Sequence, residues 1–241
     1  MASHPYRRKA DNTPKSFRRV QGNTTQPGAS ILVVTEGLNT EPVYFESVRR
    51  VLATHILELV TYGAGRGDPR KLAEVALEKR DERRRMAKKG KLSLHQLEDF
   101  DEVWIVFDAD VLSLQKLNEG LAYSKINGIR CALSEPCFEY WLLLHNRDHY
   151  TTANMDRCAN VIPYLQRAFG WQHYDKSLKE SRTLIEPLVT REHLVTAIKA
   201  AERVRYHHKE AGTAFPHNPS TDIDRLIGAI NASLPPSRKI H

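Results

Sequence analysis

Two rhythms of hydrophobic and polar positions run along this chain. The first is short and nearly continuous: Ile31-Leu32-Val33-Val34 and Val103-Trp104-Ile105-Val106-Phe107 are apolar runs closed by acidic and turn residues. Such runs suit strands buried on both faces of a parallel sheet. The second is a longer helical periodicity between the runs. Together they predict strands at 31–35, 56–61, 103–107 and 129–133. Helices are predicted at about 40–53, from Pro69 to about Lys88, and near 113–126. A fourth opens at Ser134 or Glu135 with Pro136 in first position and runs to about Leu144. Asp68 ahead of Pro69, and Asn127-Gly128 after the third helix, are the expected start and stop signals. Beyond residue 150 no further strand is expected, only helices near 154–169, 177–187, 191–209 and 221–233. The pattern is α/β: a parallel four-stranded sheet with flanking helices and right-handed crossovers over 30–150, then a helical extension over 151–241. Residues 1–29 are poor in apolar side chains and are expected to form a disordered arm.

Acidic residues stand where two of the strands end. Thr35-Glu36-Gly37 follows the first run and Asp108-Ala109-Asp110 the third. Ligand chemistry in open parallel sheets collects outside the carboxyl ends of the strands. If the strands are neighbours, Glu36, Asp108 and Asp110 converge as hard oxygen ligands suited to Mg²⁺, which implies chemistry on phosphates. Simpler roles exist for each: Glu36 as a turn residue before Gly37, and one of the aspartates as a helix cap.

Composition narrows the setting. No apolar stretch approaches the roughly 20 residues of a bilayer span, and the N-terminus lacks the apolar core of a secretory signal. Three cysteines, Cys131, Cys137 and Cys158, lack zinc-type spacing and point to a reduced, cytoplasmic setting. The net charge of +7 favours polyanionic partners. That charge is unevenly spread: residues 1–29 carry six Lys and Arg against one Asp, and a second basic run spans Lys79 to Lys91.

Three sequence blocks resemble the RloB-like family, whose core is similar to the Toprim domain, a Rossmann-like fold. They are Thr35-Glu36-Gly37-Leu38-Asn39-Thr40-Glu41-Pro42-x-Tyr44-Phe45, Ser134-Glu135-Pro136-Cys137-Phe138-Glu139-x-Trp141-Leu142-Leu143-Leu144-His145, and Asn218-Pro219-Ser220-Thr221-Asp222. The resemblance implies a nuclease of bacterial anti-phage defence, acting in abortive infection beside an AAA- or ABC-type ATPase partner. It matches Glu36 to the Toprim glutamate, and Asp108 and Asp110 to the paired aspartates that hold Mg²⁺ or Mn²⁺. Thr35 departs from the apolar residue that many Toprim proteins carry there. RNA, tRNA included, is favoured over DNA as substrate because related effectors beside ATPases include RNases.

The remaining candidates divide between chemistry and packing. Glu135 and Glu139, four apart, are expected on one face of a helix, where the dipole alone accounts for Glu135 and Glu139 is a further catalytic candidate. His145 is expected at that helix's end, packed or dipole-bound, with an acid–base role as its alternative. Gly63-x-Gly65-x-Gly67 lies at a strand-to-helix junction, where a flexible connection is the favoured reading and a phosphate cradle with Arg66 as a backbone-phosphate contact is the alternative; it lacks the Lys-Ser/Thr ending of a Walker A loop. Arg83, Arg84, Arg85, Lys88 and Lys89 are the expected nucleic-acid contacts on the basic helix. Tyr174 and Lys176 also fit the resemblance, without assigned chemistry. The leading expectation is a metal-dependent nuclease. Against it stand a non-catalytic nucleic-acid-binding or partner-regulating subunit and, less favoured, a phosphatase or phosphotransfer domain using Asp108.

Overall fold

Five strands form one mixed sheet in the computed structural model, which describes residues 29–54, 56–61, 68–93, 96–109, 112–146 and 154–241. Nearly all of the basic arm, the loop holding Gly63, Gly65, Arg66 and Gly67, and Asp110 lie outside the described residues. The elements run β1 (Ile31–Thr35), α1 (Thr40–Val51), β2 (Leu57–Thr61), α2 (Pro69–Lys88), β3 (Glu102–Asp108), α3 (Leu114–Ile126) and β4 (Arg130–Glu135). They continue through α4 (Phe138–Leu143), α5 (Cys158–Phe169), α6 (Leu178–Leu188), α7 (Arg191–Glu210), β5 (Ser220–Thr221) and α8 (Ile223–Ala232).

The strand order is β2-β1-β3-β4-β5. The first four strands are parallel, with Ile31 opposite Leu57 and Glu102, and Asp108 opposite Ser134. The fifth strand corrects the expectation of four: Ser220 and Thr221 pair antiparallel with Glu135 and Ser134. Two residues without an apolar run leave no strand pattern to read.

Alternation along the strands builds two cores. Ile31, Val33, Trp104, Val106 and Ala132 face one side with α1 and the helices from α4 onward. Leu32, Val34, Ile105, Phe107 and Leu133 face the other, with Leu72, Ala73 and Ala76 of α2 and Leu117 of α3. The segment expected as an extension therefore shares its hydrophobic core with one face of the sheet, from Met155 to Ile240. No helix among the described residues is long and apolar enough to cross a membrane.

Local signals explain the helix starts. Asp68 caps α2 through Arg70 N at 3.0 Å, with Pro69 in the first turn. Ser113 caps α3 by accepting from Lys116 N at 3.3 Å, so capping does not account for Asp108. Gly120 lets α3 approach α2 closely, since a Cβ there would fall on the Pro69 ring. The expected helix at Pro136 starts later: β4 runs on to Glu135, Cys137 is the cap position and Phe138 is the first helical residue. Glu135 and Glu139 therefore do not share a helix face.

Arg83 also departs from expectation. It lies on the buried stripe of α2 with Leu72 and Ala76, its side chain only 5 % exposed, ion-paired with Glu58 and donating to the Leu97 carbonyl at 3.3 Å. Its guanidinium sits 4.4 Å from the centroid of the Phe100 ring. It is a structural residue, not a phosphate contact. Arg84 is paired with Asp99, at 2.7 Å from Nε, while Arg85, Lys88 and Lys89 are exposed. We predict that Arg83→Ala costs about 1–3 kcal/mol by stranding Glu58 and the Leu97 carbonyl. Arg85→Ala should stay within about 0.5 kcal/mol of the parent. Urea denaturation measures both, and equal midpoints for the two variants would contradict the assignment.

Candidate functional site

The strand order has one switch point. The chain leaves β1 through α1 on one face to reach β2, then returns through α2 on the other face to β3, which lies on the opposite side of β1. The helices after β1 and β3 therefore diverge, and a crevice opens outside the carboxyl ends of these two strands. Glu36 follows β1 and Asp108 ends β3 there.

Short contacts fix the arrangement. The Asp108 backbone N–H donates to Glu36 Oε2 at 3.3 Å, joining the two strand ends. Asp108 Oδ1 accepts from the Phe138 N–H at 2.9 Å, so the start of α4 orients this carboxylate. Glu139, one residue on, is fully buried; its Oε1 accepts from the Tyr174 hydroxyl at 2.9 Å, and its Oε2 meets Lys176 Nζ at 3.0 Å. Asn39, ahead of α1, donates to the Lys176 carbonyl at 2.8 Å and holds the arriving loop in place.

Glu41, in the first turn of α1, is a fourth carboxylate of the cluster and is buried. Gly37 makes room for it: a Cβ on Gly37 would fall on the Glu41 carboxylate. Among the predicted site residues the structure thus brings together Glu36, Asp108 and Glu139. The sequence reading missed Glu41 as a member and left Lys176 and Tyr174 without a role. The one available signal for Glu41 was a glycine two residues past the end of the first strand run, followed four residues later by an acid at a helix start. Lys176 had only its resemblance.

Crowded negative charge shifts the proton affinities. Burial, then Glu41, Glu139 and Glu36, push the Asp108 carboxyl well above the usual carboxylate range, with Lys176 opposing them. Glu41 is raised to about 7, chiefly by burial and further by Glu139 and Glu36. For Lys176, burial of the ammonium end works against its charge, but Glu139, Asp108 and Glu41 prevail and hold it above its ordinary value. The side chain as a whole remains half-exposed. A single lysine is thus set among four carboxylates, where a cation is needed most.

Two cysteines border the cluster. Cys137 and Cys158 form a disulfide, in contrast to the reduced state expected from the sequence, and Cys158 Sγ lies 3.3 Å from Glu139 Oε2. A bridged sulfur carries no hydrogen, so this is a contact and not a hydrogen bond. Cys137, Glu139 and Cys158 offer ligand atoms all within 4.8 Å of one another, but the bridged sulfurs are not thiolates.

His145 is a core residue. It is buried, its Nδ1–H donates to the Trp141 carbonyl at 3.0 Å, and Nε2 accepts from the Tyr44 hydroxyl at 3.2 Å. Burial pushes its pKa down to about 3, so it is neutral and takes no part as an acid. The exposed Arg85, Lys88 and Lys89 end α2, whose 20 residues span about 30 Å from the carboxylate rim toward the opposite edge of the sheet. They do not join the cluster.

The raised Glu41 value has a stability consequence. Its unfolded-state pKa is lower, so the unfolded chain releases the proton first. Without a divalent cation, stability falls as pH rises from about 4.5 through about 7 and is level above that, as far as this group is concerned. Glu41→Gln should accordingly raise Tm at pH 8 and leave it unchanged at pH 4.5. The expected gain is about 2–4 °C for each kcal/mol recovered at this chain length. Thermal melts of metal-free protein at the two pH values test this, and an equal shift at both would refute it.

The sequence model of a family described as RloB-like protein matches residues 31–230. No curated protein and no solved structure matches the chain.

Proposed function

This chain belongs to the RloB-like family, and from that premise we propose that it is a Toprim-type nuclease that hydrolyses phosphodiesters with the help of Mg²⁺ or Mn²⁺. The observation that carries the reading is the convergence of Glu36, Glu41, Asp108 and Glu139 on the switch-point crevice, with Lys176 among them. The donor set fits the metal: oxygen ligands only, partly buried, and bearing more negative charge than one lysine balances. Asp108 and Glu36 would hold the ion. When bound, it supplies positive charge to the phosphate oxygens and lowers the pKa of a water at the crevice.

The chain's own residues have separable tasks in this reading. The Phe138 N–H aims Asp108, and the Asp108 N–H aims Glu36. Glu139 keeps the half-exposed Lys176 side chain at the mouth of the cluster, where its ammonium can contact a non-bridging phosphate oxygen. Glu41, with a pKa raised to about 7, is poised to accept a proton from the attacking water near neutral pH. RNA, tRNA included, remains the favoured substrate over DNA. The proposed setting is anti-phage defence in the cytoplasm with an AAA- or ABC-type ATPase partner. No such ATPase motif occurs in the chain itself.

A second reading has an observation of its own. The Lys176–Glu139 pair already neutralises part of the cluster, as a purely structural network would. Non-catalytic action as a nucleic-acid-binding or partner-regulating subunit would then follow. Calorimetric titration with Mn²⁺ separates the two. Under the nuclease reading the parent binds the ion, while Asp108→Asn and Glu36→Gln lose binding and cleave RNA at least about 100-fold more slowly, with Tm at or above the parent's. Absence of ion binding by the parent, or full cleavage by Asp108→Asn, would favour the structural network.

A further inference from the structure

The Asn218–Asp222 segment lines a cavity that the carboxylate site does not use. This cavity, of about 300 Å³, lies where β4 ends and the short antiparallel β5 begins, with Leu133, Glu135, Ser220 and Asp222 on the strand side. Register fixes its distance from the proposed chemistry. Asp108 pairs with Ser134, and Ser134 with Thr221. At about 4.8 Å per strand, the cavity wall stands roughly 5–10 Å from the end of β3. Glu135 follows Ser134 and by alternation turns to the opposite face, so the cavity opens over the rim from the carboxylates.

Its equipment is that of a base-recognition site. Phe215 lines the cavity and is 50 % exposed. The His217 ring stands edge to face with it at 6.4 Å and is itself stacked on His208 at 4.9 Å. The aromatic side is thus braced from behind. Arg205 is locked to Asp224 by two contacts of 2.6 and 2.5 Å, which leaves it a rigid wall. Arg225 is 58 % exposed and lies 3.0 Å from Asp222, giving a donor fork beside an acceptor carboxylate. Asn218 Nδ2 donates to Glu135 Oε1 at 3.2 Å and orients that second carboxylate.

We propose that this cavity takes one unpaired nucleobase of the substrate strand, guanine by preference, next to the phosphodiester held at the carboxylates. This rests on the nuclease reading for its position and on the cavity alone for its chemistry. Stacking against Phe215 serves any base. The polar groups discriminate: a guanidinium fork matches guanine O6 and N7, and a carboxylate accepts from guanine N1–H and N2–H. Adenine and uracil offer no adjacent pair of donors to a carboxylate. The site requires a splayed base, which only single-stranded or flipped nucleic acid supplies.

The test uses the full chain without divalent ions, so that binding is read apart from cleavage. Fluorescence anisotropy is measured with uridine ten-mers carrying one central guanosine, inosine or adenosine. The parent should bind the guanosine strand roughly 10-fold more tightly than the adenosine strand, with inosine between. Phe215→Ala should weaken all three, and Arg225→Gln should erase the difference among them; both side chains are exposed, so the fold is retained. Asp108→Asn should keep the preference even if it never cleaves, which separates failure of the nuclease reading from failure of this one. Identical affinities for the three strands, or unchanged binding in both cavity variants, would overturn the proposal. So would guanosine monophosphate that binds the parent, fails to bind Phe215→Ala, and leaves strand binding untouched, because the cavity would then serve a free nucleotide.

Discussion

Glu139 has no exposed surface, and an ionised carboxylate in that position requires a cation or several donors within reach. Lys176 and Tyr174 provide both, from a loop that lies far along the chain. The rest of the rim follows from this demand. The loop is braced by stacked rings, Phe169 on Trp171 at 5.3 Å and Trp171 on Tyr174 at 5.6 Å, and is tied to α1 through Asn39. α4, only six residues long and buried throughout, has no freedom to withdraw Glu139 from the pair. The helical layer and the sheet are thus joined at the site by charge as well as by their common core.

The acidic cluster also shows how the fold tolerates unfavourable electrostatics. Burial and the neighbouring carboxylates raise the proton affinity of Asp108 and Glu41, and one lysine does not cancel them. Such a cluster is costly to a free-standing fold and persists because the surrounding structure over-determines it. Here the over-determination is visible: backbone N–H groups of Asp108 and Phe138 hold two of the carboxylates, and Gly37 gives a third its space.

Much of this architecture was legible in the amino-acid pattern because parallel strands bury both faces and leave continuous apolar runs. β1, β3 and the start of α2 lie where Ile31–Val34, Val103–Phe107 and Asp68-Pro69 place them. β5 was not legible, since its two residues join the sheet through backbone bonds that any side chain permits. The basic run on α2 misled for a different reason. Charge was read along the sequence, whereas Leu72, Ala76 and Arg83 follow the helical repeat and put Arg83 on the inner stripe. Of the site, Glu36, Asp108 and Glu139 could be named from strand ends and resemblance. Lys176 could not, because its meaning depends on a contact across 37 residues that no local pattern encodes.

The Cys137–Cys158 bridge changes the covalent topology of the chain around its most buried acid. Residues 137 to 158 become a closed ring containing α4 and Glu139. A single peptide-bond cut anywhere within that ring would leave the sheet half and the helical half as one molecule until a reductant is added. Loss of connectivity and loss of the site are then separate events. The ring also limits how far the two halves separate in the unfolded chain, an effect worth about 3 kcal/mol for a loop of this size.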